Sequence, residues 1–308
     1  MRAVFYGTPA EAVPSLAALG GMAEVVLVTT RADKPRGRSG KPQAPPVKEA
    51  ALELGLPVSQ PLRAVHDLDR LRSLEPDVAV VVAYGQILPP ELLAVPRHGF
   101  VNVHFSLLPR WRGASPVVRT ILAGDELTGV TLMQLDAGLD TGPVVAVSPT
   151  RVGAGESAGE LTARMAGMGA ALLVEHLPAY LAGARVPRPQ PEEGVTAAGR
   201  VRVEEAFVDP TRHRPQAVLR AVRAFDPKPG AWTSLDGVRL KLWRARAAVG
   251  GGPEPGVAAV VGGAVLLGAA GGPVELVEVQ PEGRNRMGAA DWMRGRRQQP
   301  ARFTPPEG

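Results

Sequence analysis

The 308-residue sequence predicts an α/β fold followed by a small all-β domain. Strand and helix signals alternate through about the first 150 residues, the pattern of an open, mainly parallel, Rossmann-like sheet. Beyond a segment rich in proline and glycine, several short strand signals and one helix signal indicate a small β-barrel. A chain of this length is sufficient for two domains, each with its own core.

Short apolar runs predict the strands of the first part, and helical periodicity predicts its helices. The run DVAVVVA is almost continuously apolar, as expected for a strand buried on both faces. Ser115 is expected to cap a helix that has Pro116 in its first position. The strands are expected at residues 3–6, 24–30, 77–83 and 100–104, and the helices at 10–19, 46–54, 115–123 and 156–181.

A change of pattern divides the chain. Residues 183–194 read GARVPRPQPEEG and are typical of an inter-domain linker. A helix is expected after it at 215–224, and strands at 231–234, 238–245, 256–260, 264–267 and 274–280. We therefore expect a catalytic domain at 1–183, a linker at 184–203 and a β-barrel domain at 204–308.

Composition excludes several classes of chemistry. The chain has no cysteine, so disulfides, thiolate nucleophiles and cysteine-bound zinc are excluded. This is compatible with a reducing compartment, and we expect a cytoplasmic location. The N-terminus MRAVFYGTP lacks the long apolar region of a signal peptide, and no apolar run reaches the ~18 residues of a membrane span.

The charge is unevenly distributed, with a net value of +5 for the whole chain. Residues 1–199 hold 18 basic and 19 acidic residues, a net of −1, whereas residues 200–308 hold 17 and 11, a net of +6. A basic second part favours a polyanionic partner. Simple solubility is the alternative explanation of the same charge.

Three polar residues form a candidate catalytic set. Asn102 and His104 are two apart at the end of a predicted strand, so their side chains point to one face, and Asp140 lies in the turn GLDTG. Histidine can move a proton near neutral pH, a carboxylate can orient the ring, and an asparagine N–H can stabilise the oxyanion of acyl transfer. Taken singly, His104 fits a structural residue and Asp140 a turn former.

The phrases around these residues resemble the signature of the folate-dependent formyltransferases. They read NVHFSLLP (102–109), RGA (112–114) and GLDTG (138–142), and the resemblance extends over nearly the whole chain through GTP (7–9), AYGQILP (83–89) and RAFDP (223–227). It implies the formyltransferase fold with an OB-like C-terminal barrel, 10-formyltetrahydrofolate as the formyl donor, and no metal. It also implies that Asn102 and His104 bind and polarise the formyl group, while Asp140 positions His104 and a water.

The resemblance also implies a folate pocket on two loops. Its residues would be Ser106, Leu107, Leu108, Pro109, Tyr84, Gly85, Ile87 and Leu88. Two positions depart from the family pattern. Phe105 stands where glycine is usual, and we expect it to pack away from His104. Pro210 stands where an aromatic residue is usual, so the local packing at the entry of the second domain is expected to differ from that of the family.

Residues 31–48 read RADKPRGRSGKPQAPPVK and carry six basic residues against one acidic residue. Such a segment cannot bury itself, and nucleic-acid phosphates would suit it, although a solvated loop is the alternative. Within the family, the resemblance is to the members that formylate the methionine of initiator tRNA, where this insert contacts the acceptor arm. The implied tRNA contacts are Arg36, Arg38, Lys41, Arg220, Arg223 and Lys241.

Other functions remain open on the sequence. A nucleotide-sugar formyltransferase would share the three residues and the barrel, but the basic insert argues against it. A glycinamide-ribonucleotide formyltransferase would need only the first domain, and a 10-formyltetrahydrofolate hydrolase would not need the insert. A non-catalytic RNA-binding protein would not need the intact set of three. Nothing in the sequence demands more than a monomer.

Overall fold

The structure is a computed structural model that describes residues 1–35 and 40–305. The chain divides into two compact units. The first contains Met1–Pro116, Leu127–Arg151 and Thr162–Gly199. The second contains Val117–Glu126, Val152–Leu161 and the chain from Arg200 onward.

The strands of the described residues are, in chain order, β1 (Arg2–Gly7), β2 (Glu24–Thr29), β3 (Lys34–Pro35), β4 (Pro42–Gln43), β5 (Val58–Ser59), β6 (Val78–Val82), β7 (Phe100–His104), β8 (Leu127–Gln134), β9 (Val144–Arg151), β10 (Ala231–Leu235), β11 (Val238–Ala247), β12 (Val257–Val261), β13 (Ala264–Ala269), β14 (Gly272–Pro281), β15 (Met287–Gly288) and β16 (Ala301–Arg302). The α-helices are α1 (Val13–Gly20), α2 (Pro46–Glu53), α3 (Leu68–Leu74), α4 (Pro90–Leu93), α5 (Pro116–Ala123), α6 (Ala158–Leu181), α7 (Pro215–Ala224) and α8 (Ala289–Gly295). Short 3-10 helices lie at Ala10–Ala12, Ala64–Asp67 and Glu204–Ala206.

The sheet of the first unit has the order β5-β2-β1-β6-β7-β8-β9 in the described part of the chain. The pairs from β5 to β7 are parallel, and the β7–β8 and β8–β9 pairs are antiparallel. Every residue of β6 (VAVVV) is buried, as its continuous apolar run predicts. The mainly parallel, Rossmann-like sheet expected from the sequence is confirmed in this unit.

Most elements expected from the sequence are present with small changes at their ends. The prediction for β7 is correct at both ends, and α5 begins at Pro116. The helix expected over 10–19 is a 3-10 turn followed by α1, which continues to Gly20. The sequence interpretation did not include the antiparallel strands β8 and β9 or the helices α3 and α8.

The sheet of the second unit is antiparallel throughout its described pairs. Its strand order is β10-β11-β14-β13-β12-β16, with β15 added on β14. Val218 and Val222 of α7 are buried in the core that this sheet covers. The amphipathic spacing of α7 explains this burial, because positions four apart lie on one face. Pro210, one of the two departures from the family pattern, is buried here.

Among the described residues, no helix combines the length and the apolar character needed to cross a membrane.

Candidate active site

The strand β7 carries Asn102 and His104 at the carboxyl end of the parallel part of the first unit's sheet. Alternation along the strand puts both side chains on one face, and they are 9% and 6% exposed. On the neighbouring antiparallel strand, Thr131 is the register partner of His104. Phe105 is buried, as expected for a residue that packs. Ligands of open α/β sheets bind at this edge of the strands.

Both ring nitrogens of His104 face oxygen atoms. Nε2 lies 2.9 Å from the carbonyl oxygen of Trp111, and Nδ1 lies 3.7 Å from Oδ2 of Asp140. A carbonyl only accepts, so Nε2 must carry the hydrogen in that contact. In the neutral ring, the lone pair is then on Nδ1, and a proton taken up there faces the Asp140 carboxylate.

The turn between β8 and β9 places Asp140. This residue has a φ of 51°, in the left-handed region that residues with a Cβ seldom adopt. Its Oδ2 accepts a hydrogen bond of 2.8 Å from the Gly113 N–H. A Cβ on Gly142 would collide with the carbonyl oxygen of Gln134, so only glycine fits that end of the turn. The Gly113 N–H therefore holds the carboxylate of Asp140, and the close approach of Gly142 to Gln134 fixes the backbone of the same turn.

A second turn follows β7 and contains part of the expected folate pocket. The Ser106 hydroxyl donates to the Arg110 carbonyl at 2.6 Å. The Thr131 hydroxyl donates to the Ser106 carbonyl at 2.6 Å and accepts from the Leu108 N–H at 3.2 Å. Ser106 and Leu108 are buried, whereas Leu107 and Pro109 are half-buried. The hydroxyl of Thr131 thus stabilises the turn that follows His104 in the chain.

The other loop of the expected folate pocket has an inner and an outer part. Tyr84 is buried and packs edge-on against Tyr6 with ring centroids 5.2 Å apart. Burial raises the pKa of Tyr84 to about 12. The Gly85 carbonyl accepts from the Arg31 guanidinium at 2.6 Å. Ile87 is 93% exposed and Leu88 is half-buried, so these two side chains present apolar surface outward.

Part of the basic segment lies outside the described residues, including the two expected tRNA contacts Arg36 and Arg38. The short strands β3 and β4 pair on either side of it, and Lys41 beside them is exposed. At the base of the segment, Lys48 forms an ion pair of 2.8 Å with Asp33. Hydrogen bonds from Lys48 hold the pKa of the Asp33 carboxyl below its usual value.

Two of the three tRNA contacts expected in the second unit, Arg223 and Lys241, donate hydrogen bonds to carbonyl groups of that same unit. Arg220 is half-buried. Arg223 donates to the carbonyls of Gly153 and Glu156 at 3.3 and 3.4 Å, and burial lowers its pKa. The Lys241 ammonium donates to the Pro229 carbonyl at 2.9 Å, and burial lowers its pKa as well.

The structure adds residues that the sequence interpretation did not select. Trp111 supplies the carbonyl that faces His104, and its own N–H donates to the Thr196 hydroxyl at 2.8 Å. Gln190 bonds to the turn of Asp140 and to Arg112. Thr196 and Gln190 lie in the region expected to be a linker, where the proline-rich composition gave no signal of a role. In residues 1–35 and 40–305, no group of three or more His, Asp or Glu side chains could hold a metal ion.

Comparisons with known proteins find relatives along nearly the whole chain. Residues 4–177 match the formyl transferase family model, and residues 200–297 match the model of the formyl transferase C-terminal domain. The methionyl-tRNA formyltransferase of Halorhodospira halophila is 48% identical over 301 residues, which is 96% of each chain. That of Myxococcus xanthus is 46% identical over 97% of this chain and 96% of its own.

Solved structures share the fold at lower identity. HypX from Aquifex aeolicus in complex with tetrahydrofolic acid has a TM-score of 0.65 and 18% identity over 95% of this chain, which spans about half (48%) of that protein. The sugar 3N-formyltransferase WlaRD has a TM-score of 0.67 and 16% identity over 92% of this chain and 99% of its own. Because both family models match in order and near-full-length relatives are close to half identical, the chain belongs to the formyl transferase family, among the methionyl-tRNA formyltransferases.

Proposed function

We propose that this chain transfers the formyl group of 10-formyltetrahydrofolate to the α-amine of the methionine esterified to initiator tRNA. The observation that carries the proposal is the set of Asn102, His104 and Asp140 at one edge of the first unit's sheet, with His104 Nδ1 3.7 Å from Asp140 Oδ2. The near-full-length identity to methionyl-tRNA formyltransferases supports the choice of substrate.

The reaction is an acyl transfer by direct attack. The uncharged amine attacks the formyl carbon, the C–N bond to methionine forms, and the formyl oxygen takes the negative charge of a tetrahedral intermediate. We propose that the Asn102 amide N–H donates to that oxygen, and that His104, once its ring is protonated by the attacking amine, adds the stabilising effect of its positive charge. The intermediate then collapses, the C–N bond to the folate breaks, and the folate nitrogen takes up a proton. No covalent enzyme intermediate is proposed.

The proton accounting fits the surroundings of His104. Attack by a neutral amine produces an ammonium that must lose one proton, and the departing folate nitrogen must gain one. Nδ1 of His104 can hold that proton beside the Asp140 carboxylate, while Nε2–H stays on the Trp111 carbonyl. A buried imidazole with a carboxylate neighbour is suited to this general acid–base role. A water held by Asp140 is the alternative carrier of the same proton.

The folate and the tRNA would use different parts of the chain. Exposed Ile87 and half-buried Leu88, Leu107 and Pro109 offer apolar surface suited to the flat rings of a folate. We propose that the tRNA is bound by the basic segment 31–48 and by the second unit, whose antiparallel sheet we propose to be OB-like. In this division 1–183 is catalytic, 184–203 joins the domains and 204–308 contacts tRNA. We also propose that the chain acts as a monomer in the cytoplasm.

The test is formyl transfer from labelled 10-formyltetrahydrofolate, with charged initiator tRNA and a nucleotide amino-sugar offered in parallel. We expect label on the methionyl-tRNA alone. Label on the sugar alone would retain the role of the three residues but refute the tRNA substrate. Release of formate without label on either acceptor would instead identify a hydrolase.

A further inference from the structure

A stretch of chain that the sequence presents as a linker is hydrogen-bonded to two loops of the candidate active site. We call residues 188–198 the closing segment. At its start, Arg188 exchanges two backbone hydrogen bonds of 2.7 and 2.8 Å with Val144, just beyond the Asp140 turn. At its end, the Arg112 N–H donates to the Thr196 carbonyl at 2.9 Å, and the Ala198 N–H donates to the Arg112 carbonyl at 2.7 Å. The closing segment therefore ties together the loops that follow β7 and β8.

The side chain of Gln190 is fully engaged between these two loops. Its Nε2 donates to the carbonyls of Asp140 and Gly142, each at 2.8 Å. Its Oε1 accepts from Nε and Nη2 of Arg112 at 3.0 and 2.7 Å. A guanidinium only donates and a carbonyl only accepts, so the amide fits in this orientation alone. Both N–H groups of the Gln190 side chain thus donate hydrogen bonds to the Asp140 turn.

These contacts act on a backbone conformation that needs support. Asp140 has a φ of 51°, which is unfavourable for a residue with a Cβ. Gln190 holds the carbonyl of this residue, while the Gly113 N–H holds its carboxylate at 2.8 Å. That carboxylate is the oxygen neighbour of His104 Nδ1. Without the bond to Gln190, the left-handed backbone at Asp140 loses one of its supports, and its carboxylate is held less firmly beside the ring.

The other oxygen that faces His104 is held by the same segment. The Trp111 carbonyl lies 2.9 Å from His104 Nε2, and Trp111 also has a left-handed φ, of 63°. Its N–H donates to the Thr196 hydroxyl at 2.8 Å. Each of the two residues that place an oxygen next to the imidazole is therefore hydrogen-bonded, through its own backbone, to the closing segment.

We infer that Gln190 is a positioning residue for formyl transfer: it holds the Asp140 turn, and through Asp140 it sets the surroundings of the His104 ring. Thr196 has the matching role at Trp111. The inference rests on the proposed function, because formyl transfer is the reaction whose kcat is measured. It assigns to the closing segment a part in the active site in addition to joining the domains.

The variant Gln190→Glu tests this inference because it separates the two ends of the amide. The carboxylate still accepts from Arg112, but it loses both N–H donors and sets its oxygens against the carbonyls of Asp140 and Gly142. The matched control is Glu193→Gln, the reverse change at an exposed position of the same segment. We expect Gln190→Glu to lower kcat by roughly 10- to 100-fold with unchanged KM for the folate, and Glu193→Gln to keep wild-type values.

A double-mutant cycle distinguishes positioning from a general loss of structure. In the Asp140→Ala background, the turn has no carboxylate left to position, so Gln190→Glu should lower kcat by less than about twofold. A merely structural defect would reduce kcat equally in both backgrounds. Equal fold losses, or a wild-type kcat for Gln190→Glu, would overturn the inference.

A measurement without substrate keeps this inference separate from the proposed function. Amide hydrogen exchange across residues 136–142 should be faster in Gln190→Glu than in wild type and unchanged in Glu193→Gln. Unchanged exchange in Gln190→Glu would overturn the positioning role whatever the enzyme formylates. Failure of the proposed function would show instead as wild-type protein that does not formylate methionyl-tRNA.

Discussion

Replacing Thr131 with valine is expected to destabilise the first unit and to loosen the turn next to His104. The threonine is fully buried, and its hydroxyl donates to the Ser106 carbonyl and accepts from the Leu108 N–H. Valine has nearly the same shape but can make neither bond, so a buried acceptor and a buried donor lose their partner. At about 1–3 kcal/mol for each of the two buried groups left unsatisfied, the free energy of unfolding should fall by about 2–6 kcal/mol.

Thr30 provides a matched control for this change. It is also fully buried in the first unit, but its hydroxyl has no hydrogen-bond partner in the described structure. Thr30→Val therefore removes an unsatisfied polar group and should be neutral or stabilising. Comparison of the two valine variants isolates the hydrogen bonds of Thr131 from the effect of exchanging a hydroxyl for a methyl group.

Urea unfolding followed by far-ultraviolet circular dichroism measures the difference. With a slope of about 2 kcal/mol/M, the urea midpoint of the first unit should fall by about 1–3 M in Thr131→Val. The KM for 10-formyltetrahydrofolate should rise as well, because Leu107 and Pro109 are carried by the same turn. A midpoint for Thr131→Val equal to that of Thr30→Val would refute the reasoning about these two hydrogen bonds.

Three further changes address the chemistry and the tRNA. His104→Ala should lower kcat by roughly 10²–10⁴-fold, because general acid–base catalysis is lost; single-turnover formylation measures this, and near wild-type activity would contradict the assignment. Gly142→Ala forces a methyl group against the Gln134 carbonyl, so kcat should fall while circular dichroism stays native; full activity would show that the Asp140 turn tolerates displacement. Arg38→Ala should weaken tRNA binding more than folate binding and reduce the salt slope of tRNA affinity by about 0.7–0.9; an unchanged slope would remove this residue from the tRNA contacts.

The parts of the fold that the sequence predicted are those with strong local patterns. The continuous apolar run of β6 and the amphipathic spacing of α7 need no knowledge of distant partners to be recognised. The strands β8 and β9 were not recognised because neither has a simple apolar pattern in its sequence. In β8 (LTGVTLMQ), two threonines and a glycine interrupt the apolar residues of a strand that is buried almost throughout. In β9 the exposed and buried positions do not alternate strictly, so neither a fully buried nor a half-buried strand pattern is present.

The candidate site also contains residues that a local sequence pattern predicts and residues that no local pattern predicts. Asn102 and His104 share a strand, so period-two alternation predicts that they share a face. The approach of Asp140 to His104 depends on the return of the chain through β8, and the resemblance to a family supplied what spacing could not. Gln190 contacts Asp140 across 50 positions of sequence, and its segment is rich in proline and exposed. No local pattern marks such a residue.

The two backbone attachments of the closing segment bear on how this protein can be divided for expression. A fragment that stops at residue 183 would retain Asn102, His104 and Asp140, yet it would lose the chain that pairs with Val144 and Arg112. Such a fragment would contain all the sequence motifs of the catalytic domain, but it would be a poor catalyst. Cut sites, tags and fusion joints placed in residues 188–198 would disrupt the same pairing, so inserts of that kind belong elsewhere in the chain.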